Sequence, residues 1–130
     1  MTGRKVELYK DKAVIRLPWI NGLFALKFSL ELPYETIEEV IVTPFTPPQF
    51  MLRMPGTSIG YLKEGSYKYR GEWYFLSFAH RIPLLNIRLR GHDKYTLAVI
   101  EVEKPTEAAA EIRRKIREYE EGKTAEKRAD

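Results

Sequence analysis

The chain has no cysteine among its 130 residues, and this absence excludes disulfides, thiol catalysis and zinc–thiolate sites together. It also favours a reducing compartment, so we expect a cytoplasmic protein, either free or peripheral to a membrane. Long apolar runs are missing as well, because Pro18, Asn21 and Gly22 interrupt the most apolar window at residues 17–26. We therefore expect no transmembrane segment. The polar amino terminus does not resemble a signal peptide, and the length predicts a single domain.

Amides and histidines are scarce. The three amides, Asn21, Gln49 and Asn86, accompany 31% charged residues, a bias that is seen in heat-adapted proteins and hints at a thermophilic source. The two histidines, His80 and His92, have no further histidine at ligand spacing. We expect both to be surface imidazoles at turns, and we predict no metal site and no cofactor.

Catalytic groupings are also missing from the sequence. Glu38 and Glu39 are adjacent on a predicted strand, so we expect their carboxylates on opposite faces of the sheet. Glu101 and Glu103 share a face, but that pattern is typical of a solvated strand end. The loop that begins at Gly56 lacks the Gly-Lys-Ser/Thr ending of a phosphate-binding loop. We therefore predict a protein that is not an enzyme.

The net charge of +4 is unevenly distributed. Residues 1–100 carry fourteen Lys or Arg and nine Asp or Glu, whereas residues 101–130 carry eight and nine. The basic excess thus belongs to the body of the domain. This excess of positive charge is compatible with an anionic partner, but an excess of this size is also found in domains where it only keeps the protein soluble.

Most of the chain consists of short apolar runs that predict antiparallel strands. The runs with strand character lie at residues 6–9, 13–17, 24–31, 37–42, 51–53, 58–62, 66–70, 73–78, 84–89 and 95–102. Asn21-Gly22 predicts a type I′ turn, and Gly71-Glu72 predicts a type II′ turn. Together these patterns predict a mainly β fold, an antiparallel barrel or sandwich of seven or eight strands.

The pattern becomes helical at Pro105. Ala108, Ile112, Ile116 and Tyr119 form one apolar stripe of an amphipathic helix. Pro105 suits the first turn, and Gly122 is the expected end of the helix. This places the domain at residues 1–122 and leaves residues 123–130 as a disordered charged tail.

The middle of the sequence, residues 53–78, combines glycines, aromatic residues and cations. Its glycines recur every four to six residues, at Gly56, Gly60, Gly65 and Gly71. Between the last two glycines, tyrosines alternate with cations, so we expect a strand with one aromatic and one cationic face.

Residues 12–120 resemble the bacterial pleckstrin-homology-like domains. The resemblance rests on the segment Leu32-Pro33-Tyr34-Glu35-Thr36-Ile37, on residues 87–90 and 102–106, and on the central residues Arg53, Gly56, Gly60, Gly65 and Tyr67. It implies a small barrel closed by a helix, a fold that hosts many functions. The family commonly has Asp before the helix proline, where this chain has Lys104, so Thr106 is an alternative cap.

Eukaryotic relatives of that fold bind inositides on basic residues of the first hairpins. Here the corresponding corner offers only Lys10 and Lys12, with Asp11 between them, which gives little support to specific inositide recognition.

Two basic pairs are the most informative surface candidates. Lys68 and Arg70 share one strand face, as do Arg88 and Arg90, so four cations would form one outer surface if their strands lie in one sheet. The alternative is that they pair with Glu64, Glu72 and the helix acids. The nearby aromatic residues suit nucleic-acid stacking, but alternation sends about half of them into the core.

We predict a binding or scaffolding module that acts through protein–protein interaction or self-association. The expected contacts are an open sheet edge and the proline–aromatic loop at residues 44–50. The alternatives are peripheral binding to anionic membrane lipid and, with less support, nucleic-acid binding. The candidate binding residues are Arg53, Gly56, Lys68, Arg70, Arg88, Arg90, Lys10 and Lys12.

Overall fold

The computed structural model describes residues 3–18, 29–47, 52–59 and 62–129, with side chains except at 52–59, 62 and 127–129. In these residues the fold is mainly β, with two sheets and one carboxyl-terminal helix. The predicted Asn21-Gly22 turn, the start of the strand at 24–31 and Gly60 lie outside the described residues.

The smaller sheet contains β1 (Lys5–Leu8), β2 (Lys12–Arg16) and β3 (Ser29–Pro33), in that order and antiparallel. The predicted first hairpin is confirmed: Leu8 pairs with Ala13, and the Tyr9 amide donates to the Lys12 carbonyl at 2.8 Å. Ala13 and Ile15 of β2 are buried. This sheet therefore offers one apolar face to the rest of the molecule.

A 3-10 turn, Tyr34–Thr36, leads into the larger sheet. Its strands are β4 (Ile37–Thr43), β5 (Leu52–Ile59), β6 (Leu62–Tyr69), β7 (Glu72–Phe78), β8 (Leu84–Leu89) and β9 (Tyr95–Ile100). They lie in the order β4-β8-β9-β7-β6-β5. All neighbours are antiparallel except β7 and β9, whose parallel pairing departs from the expected antiparallel arrangement.

The main core lies between the two sheets and the helix. Leu30 and Leu32 of the smaller sheet share one apolar cluster with Phe75 and Ile87 of the larger sheet and Ile112 of the helix. Burying each such side chain stabilises the fold by about 1.5–3 kcal/mol. We call this side of the larger sheet the inner face and the opposite side the outer face. The described strands form a sandwich-like arrangement and do not close into a barrel, which agrees with the mainly β prediction.

The helix α1 spans Pro105–Ala129. Its predicted stripe is confirmed, because Ile112 is buried and Ile116 and Tyr119 pack against the main core. The Ala108 amide donates to the Lys104 carbonyl at 3.0 Å, so the helix begins at Pro105 without a cap from Thr106.

The helix continues past Gly122, where the sequence predicts its end. A terminating glycine takes a left-handed conformation, and Gly122 is not among the described glycines with positive φ. The residues that follow, among them Ala125, Glu126 and Lys127, are good helix formers and extend the helix.

The β6–β7 turn also differs from its prediction. Tyr69 pairs with Glu72, so the two-residue loop is Arg70-Gly71 and not Gly71-Glu72. Both loop residues have positive φ, 51° and 82°, as in a type I′ turn. The turn therefore holds the non-glycine residue Arg70 in a left-handed conformation at the tip of the hairpin.

Candidate binding surfaces

The two basic pairs lie in one sheet but do not share a face. The row of side chains that contains Arg88 crosses four strands: Arg88, Leu97, Tyr74 and Tyr67. Lys68 follows Tyr67 on β6 and pairs with Trp73, so it lies on the other side of the sheet. The expected surface of four cations is therefore wrong, because the register puts Lys68 at the margin of the inner face and Arg88 on the outer face.

Arg88 and Arg90 are neutralised by acids on the neighbouring strand. Arg88 Nη2 lies 2.8 Å from Glu39 Oε2, and Arg90 Nε lies 3.0 Å from Glu38 Oε2. Arg88 also lies within 3.8 Å of Glu38. A register shift between Ile37 and Glu39 brings both glutamates to these arginines, so the expectation that they face opposite sides is wrong. We call these four charged residues the ion-paired rim.

Beside the rim, the outer face carries an open groove of about 400 Å³. Its apolar lining comes from Ile41, Phe45, Tyr74 and Leu97. Ile41 is 42% exposed although it lies in the middle of β4. Burial raises the pKa of the Tyr74 phenol, so this group stays a neutral hydrogen-bonding partner. We call this feature the outer-face groove.

About half of the aromatic residues are buried, as predicted, but strand alternation does not decide which half, because Tyr67 and Phe78 are buried in a second apolar cluster on the outer face. Tyr67, Phe75 and Phe78 are buried, whereas Tyr69, Trp73 and Tyr74 are partly exposed. Phe45 from the proline–aromatic loop packs edge-on against Phe78, with ring centroids 6.2 Å apart. Phe45 thus contributes both to a second apolar cluster beneath the outer-face groove and to the wall of the groove, whereas residues 48–50 of the loop lie outside the described residues.

A different surface lies at the turn end of the β6–β7 hairpin. The Lys68 ammonium lies 5.4 Å from the centroid of the Trp73 ring, and the Lys94 ammonium lies 4.7 Å from it. Arg70 lies over Tyr69 at 5.2 Å, but Tyr69 follows Lys68 on β6 and therefore lies on the outer side of the sheet. Within the part of the chain that the structure describes, neither Lys68 nor Lys94 forms an ion pair with an acid. We call Lys68, Lys94 and Trp73 the cation–aromatic patch.

Of the two candidate binding lysines in the first hairpin, Lys10 is exposed and Lys12 is ion-paired. Lys12 Nζ lies 2.6 Å from Glu31 Oε1, and this hydrogen bond raises the pKa of the Lys12 ammonium. Lys10 lines a groove of about 480 Å³ between the hairpin and α1, together with Lys115 and Lys123. Lys10 and Lys12 therefore belong to the region of the smaller sheet and α1.

Arg53 and Gly56 belong to β5, where Arg53 pairs with Tyr67 and Gly56 with Gly65. Their side chains lie outside the described residues, so their binding role stays a prediction. The register shifts between these two residues, at the position of Pro55. Proline has no amide hydrogen, so this strand lacks a continuous row of edge donors.

His92 is not the surface imidazole that the sequence suggests. Its side chain is 5% exposed. Nδ1 accepts hydrogen bonds from the Lys94 and Tyr95 amides at 3.1 Å, and Nε2 donates to the Glu31 carbonyl at 2.9 Å. These donors assign the tautomer with hydrogen on Nε2, although the mostly exposed Asp93 carboxylate lies 3.0 Å from Nδ1. His92 thus joins the β8–β9 turn to β3 of the other sheet.

His80 is exposed, as expected, but its partner Glu101 is buried and not part of a solvated strand end. The Glu101 carboxylate accepts hydrogen bonds from the Ala79 and His80 amides at 2.9 Å and contacts His80 Nδ1 at 3.0 Å. Burial alone would raise the pKa of Glu101, but these hydrogen bonds and the charge of Arg4 outweigh it and lower that pKa. Through these hydrogen bonds the Glu101 carboxylate holds the loop that follows β7 in place.

A buried polar cluster joins the amino-terminal segment to the inner face. The Arg4 guanidinium bonds to the Glu64 carboxylate and donates from Nε to Ser77 Oγ at 2.7 Å. Ser77 Oγ donates in turn to Glu64 Oε2 at 2.7 Å. All three residues are buried. The sequence pattern did not indicate this cluster, because its members are distant along the chain.

Comparison with known protein families, curated proteins and solved structures found no match to this chain. The resemblance to the bacterial pleckstrin-homology-like domains therefore stays a prediction. Among the described residues, no helix is both long enough and apolar enough to cross a membrane.

Proposed function

We propose that the protein is a non-enzymatic scaffolding module of the pleckstrin-homology-like type that self-associates through its outer-face groove. The observation that carries the proposal is an apolar, solvent-open groove beside charges that balance one another. The two-sheet arrangement followed by a carboxyl-terminal helix supports the fold part of this proposal.

The apolar character of the groove favours a protein contact. A sheet with one face on the core usually presents a polar opposite face to water. Here Ile41, Phe45 and Leu97 line the groove instead. An apolar centre with polar residues around it is typical of a protein–protein interface.

The charges of the rim favour a second copy as the partner. With a net charge of +4, two copies repel one another unless they meet through faces without a charge excess. The ion-paired rim contributes two glutamates and two arginines, which cancel, and Glu72 adds one negative charge to the groove lining. A two-fold dimer brings the same patch together from both copies, so this near-balance keeps like-charge repulsion at the contact small.

The edges of the larger sheet support self-association less well than its outer face does. The Arg113 guanidinium of α1 bonds to the Val40 carbonyl of the edge strand β4. At the other margin of the described ladder, β5 contains Pro55 at its register shift. Side chains that cover an edge and prolines that break its row of donors both discourage strand-to-strand pairing. We therefore place the contact on the face and not on an edge.

The test is Ile41→Asp, with Ile82→Asp as the matched control. The two isoleucines are 42% and 43% exposed, but only Ile41 lines the groove. We expect wild type and Ile82→Asp to form dimers in sedimentation-velocity and light-scattering experiments. Ile41→Asp should shift the protein to monomer, because each dimer would bury two unpaired carboxylates.

A wild-type protein that stays monomeric at high concentration would refute the proposal. So would an Ile41→Asp variant that dimerises as well as the control does. Circular dichroism melts of both variants would establish that the fold is retained.

A further inference from the structure

We propose that the cation–aromatic patch is a second binding site, separate from the outer-face groove, and that it recognises an acidic peptide segment. The site is built at the turn end of the β6–β7 hairpin and the adjacent β8–β9 turn. Its ligand chemistry is a run of carboxylates on an extended or helical chain.

The positions of the two lysines favour an anionic ligand. Lys68 of β6 and Lys94 of the β8–β9 turn are both held over the single indole of Trp73. Cation–π contact orders each ammonium while leaving its hydrogen-bond donors able to face an anion. In contrast, Arg88, Arg90 and Lys12 already bind carboxylates of this chain.

The acid beside the patch favours a narrow anion over a flat one. Asp93 is 93% exposed beside Lys94. A flat anionic membrane would meet this carboxylate together with the two lysines and be repelled by it. A narrow acidic segment can contact the lysines and avoid Asp93.

The Trp73 ring is a poor platform for nucleic-acid bases. Single-stranded nucleic acids bind by stacking bases on open aromatic faces. The Trp73 ring already has two ammonium groups over it. Bases would have to displace these cations, whereas carboxylates bind to them directly. The arrangement therefore favours a peptide over a nucleic acid.

The experiment measures binding of a labelled oligo-glutamate peptide to the full chain by fluorescence anisotropy, over a series of salt concentrations. We expect the Lys68→Gln/Lys94→Gln double variant to bind about tenfold more weakly than wild type at low salt. The control Lys10→Gln removes an exposed lysine outside the patch and should leave the affinity within about twofold of wild type. Binding should weaken steadily as salt is added.

Two parallel titrations use vesicles that contain phosphatidylserine and a single-stranded oligonucleotide. Tighter binding of either than of oligo-glutamate would overturn the peptide assignment. No peptide binding at low salt, or equal loss in the double variant and in Lys10→Gln, would overturn the site. Ile41→Asp should bind the peptide as wild type does, so failure of self-association and failure of this site are distinguishable.

Discussion

Glu101 directly follows the core strand β9, and its carboxylate is almost completely buried. A buried carboxylate is costly unless donors surround it, and here two backbone amides and an imidazole supply them. His92 has a similar role, but its ring both accepts hydrogen bonds from two backbone amides and donates one to a backbone carbonyl. At the scale of single residues, both side chains hold turns in place through hydrogen bonds, and this structural role accounts for their burial.

The lowered pKa of Glu101 has a definite consequence for stability. Its folded-state pKa lies below the ordinary value of 4.5, so the stabilisation is present above that value and is lost as pH falls through the folded pKa. In wild type, the free energy of unfolding should fall between neutral pH and about pH 3 as Glu101 is protonated. In Glu101→Gln this fall should be smaller, because the titrating carboxylate is absent. Urea titrations over this range measure the effect. The exposed Glu103→Gln is the control, and equal pH profiles for Glu101→Gln and wild type would contradict the assignment.

At the scale of elements, the β6–β7 hairpin and the long helix contain glycines with different conformations. Gly71 has a φ of 82° in the β6–β7 turn, whereas Gly122 continues α1. Neither glycine has another atom within 4 Å of the position that a Cβ would take. Backbone conformation alone therefore determines how an added Cβ changes the free energy of unfolding at each position.

This difference predicts opposite effects of the same substitution. Gly71→Ala should destabilise the protein by about 1–2 kcal/mol, because an L-residue is strained in the left-handed region. Gly122→Ala should stabilise it by up to about 1 kcal/mol, because alanine is the better helix former. Urea unfolding of the two variants beside wild type measures both values. Effects of the same sign would show that one of the two conformations is misassigned.

At the scale of the whole molecule, the two sheets are held together by apolar packing and by Arg4. The arginine lies just before β1 of the smaller sheet, yet it bonds to Glu64 of β6 and Ser77 of β7 in the larger one. The two candidate surfaces belong to the larger sheet, one on the outer face and one at its turn end. The Arg4 cluster therefore supports the assembly that positions both.

Removing Arg4 tests this link. Arg4→Met should lower the free energy of unfolding by about 3–5 kcal/mol, because it leaves the Glu64 carboxylate buried without the guanidinium. Arg4→Met/Glu64→Met should recover much of that loss, since an apolar pair has no charge to bury. Arg81→Met, at an exposed arginine, is the control. A loss below about 1 kcal/mol in the single variant would show that the cluster contributes little.

The sequence by itself determined the local elements: the first hairpin, the strand that starts at Ile37, and the phase of α1. Alternation and helical periodicity are local properties, so residues close along the chain carry them. Only the tertiary structure decided the surfaces. The strand register separated Lys68 from Arg88, and a bulge turned Glu38 and Glu39 toward the same arginines. Pairings between distant strands set these positions, and no local pattern contains them.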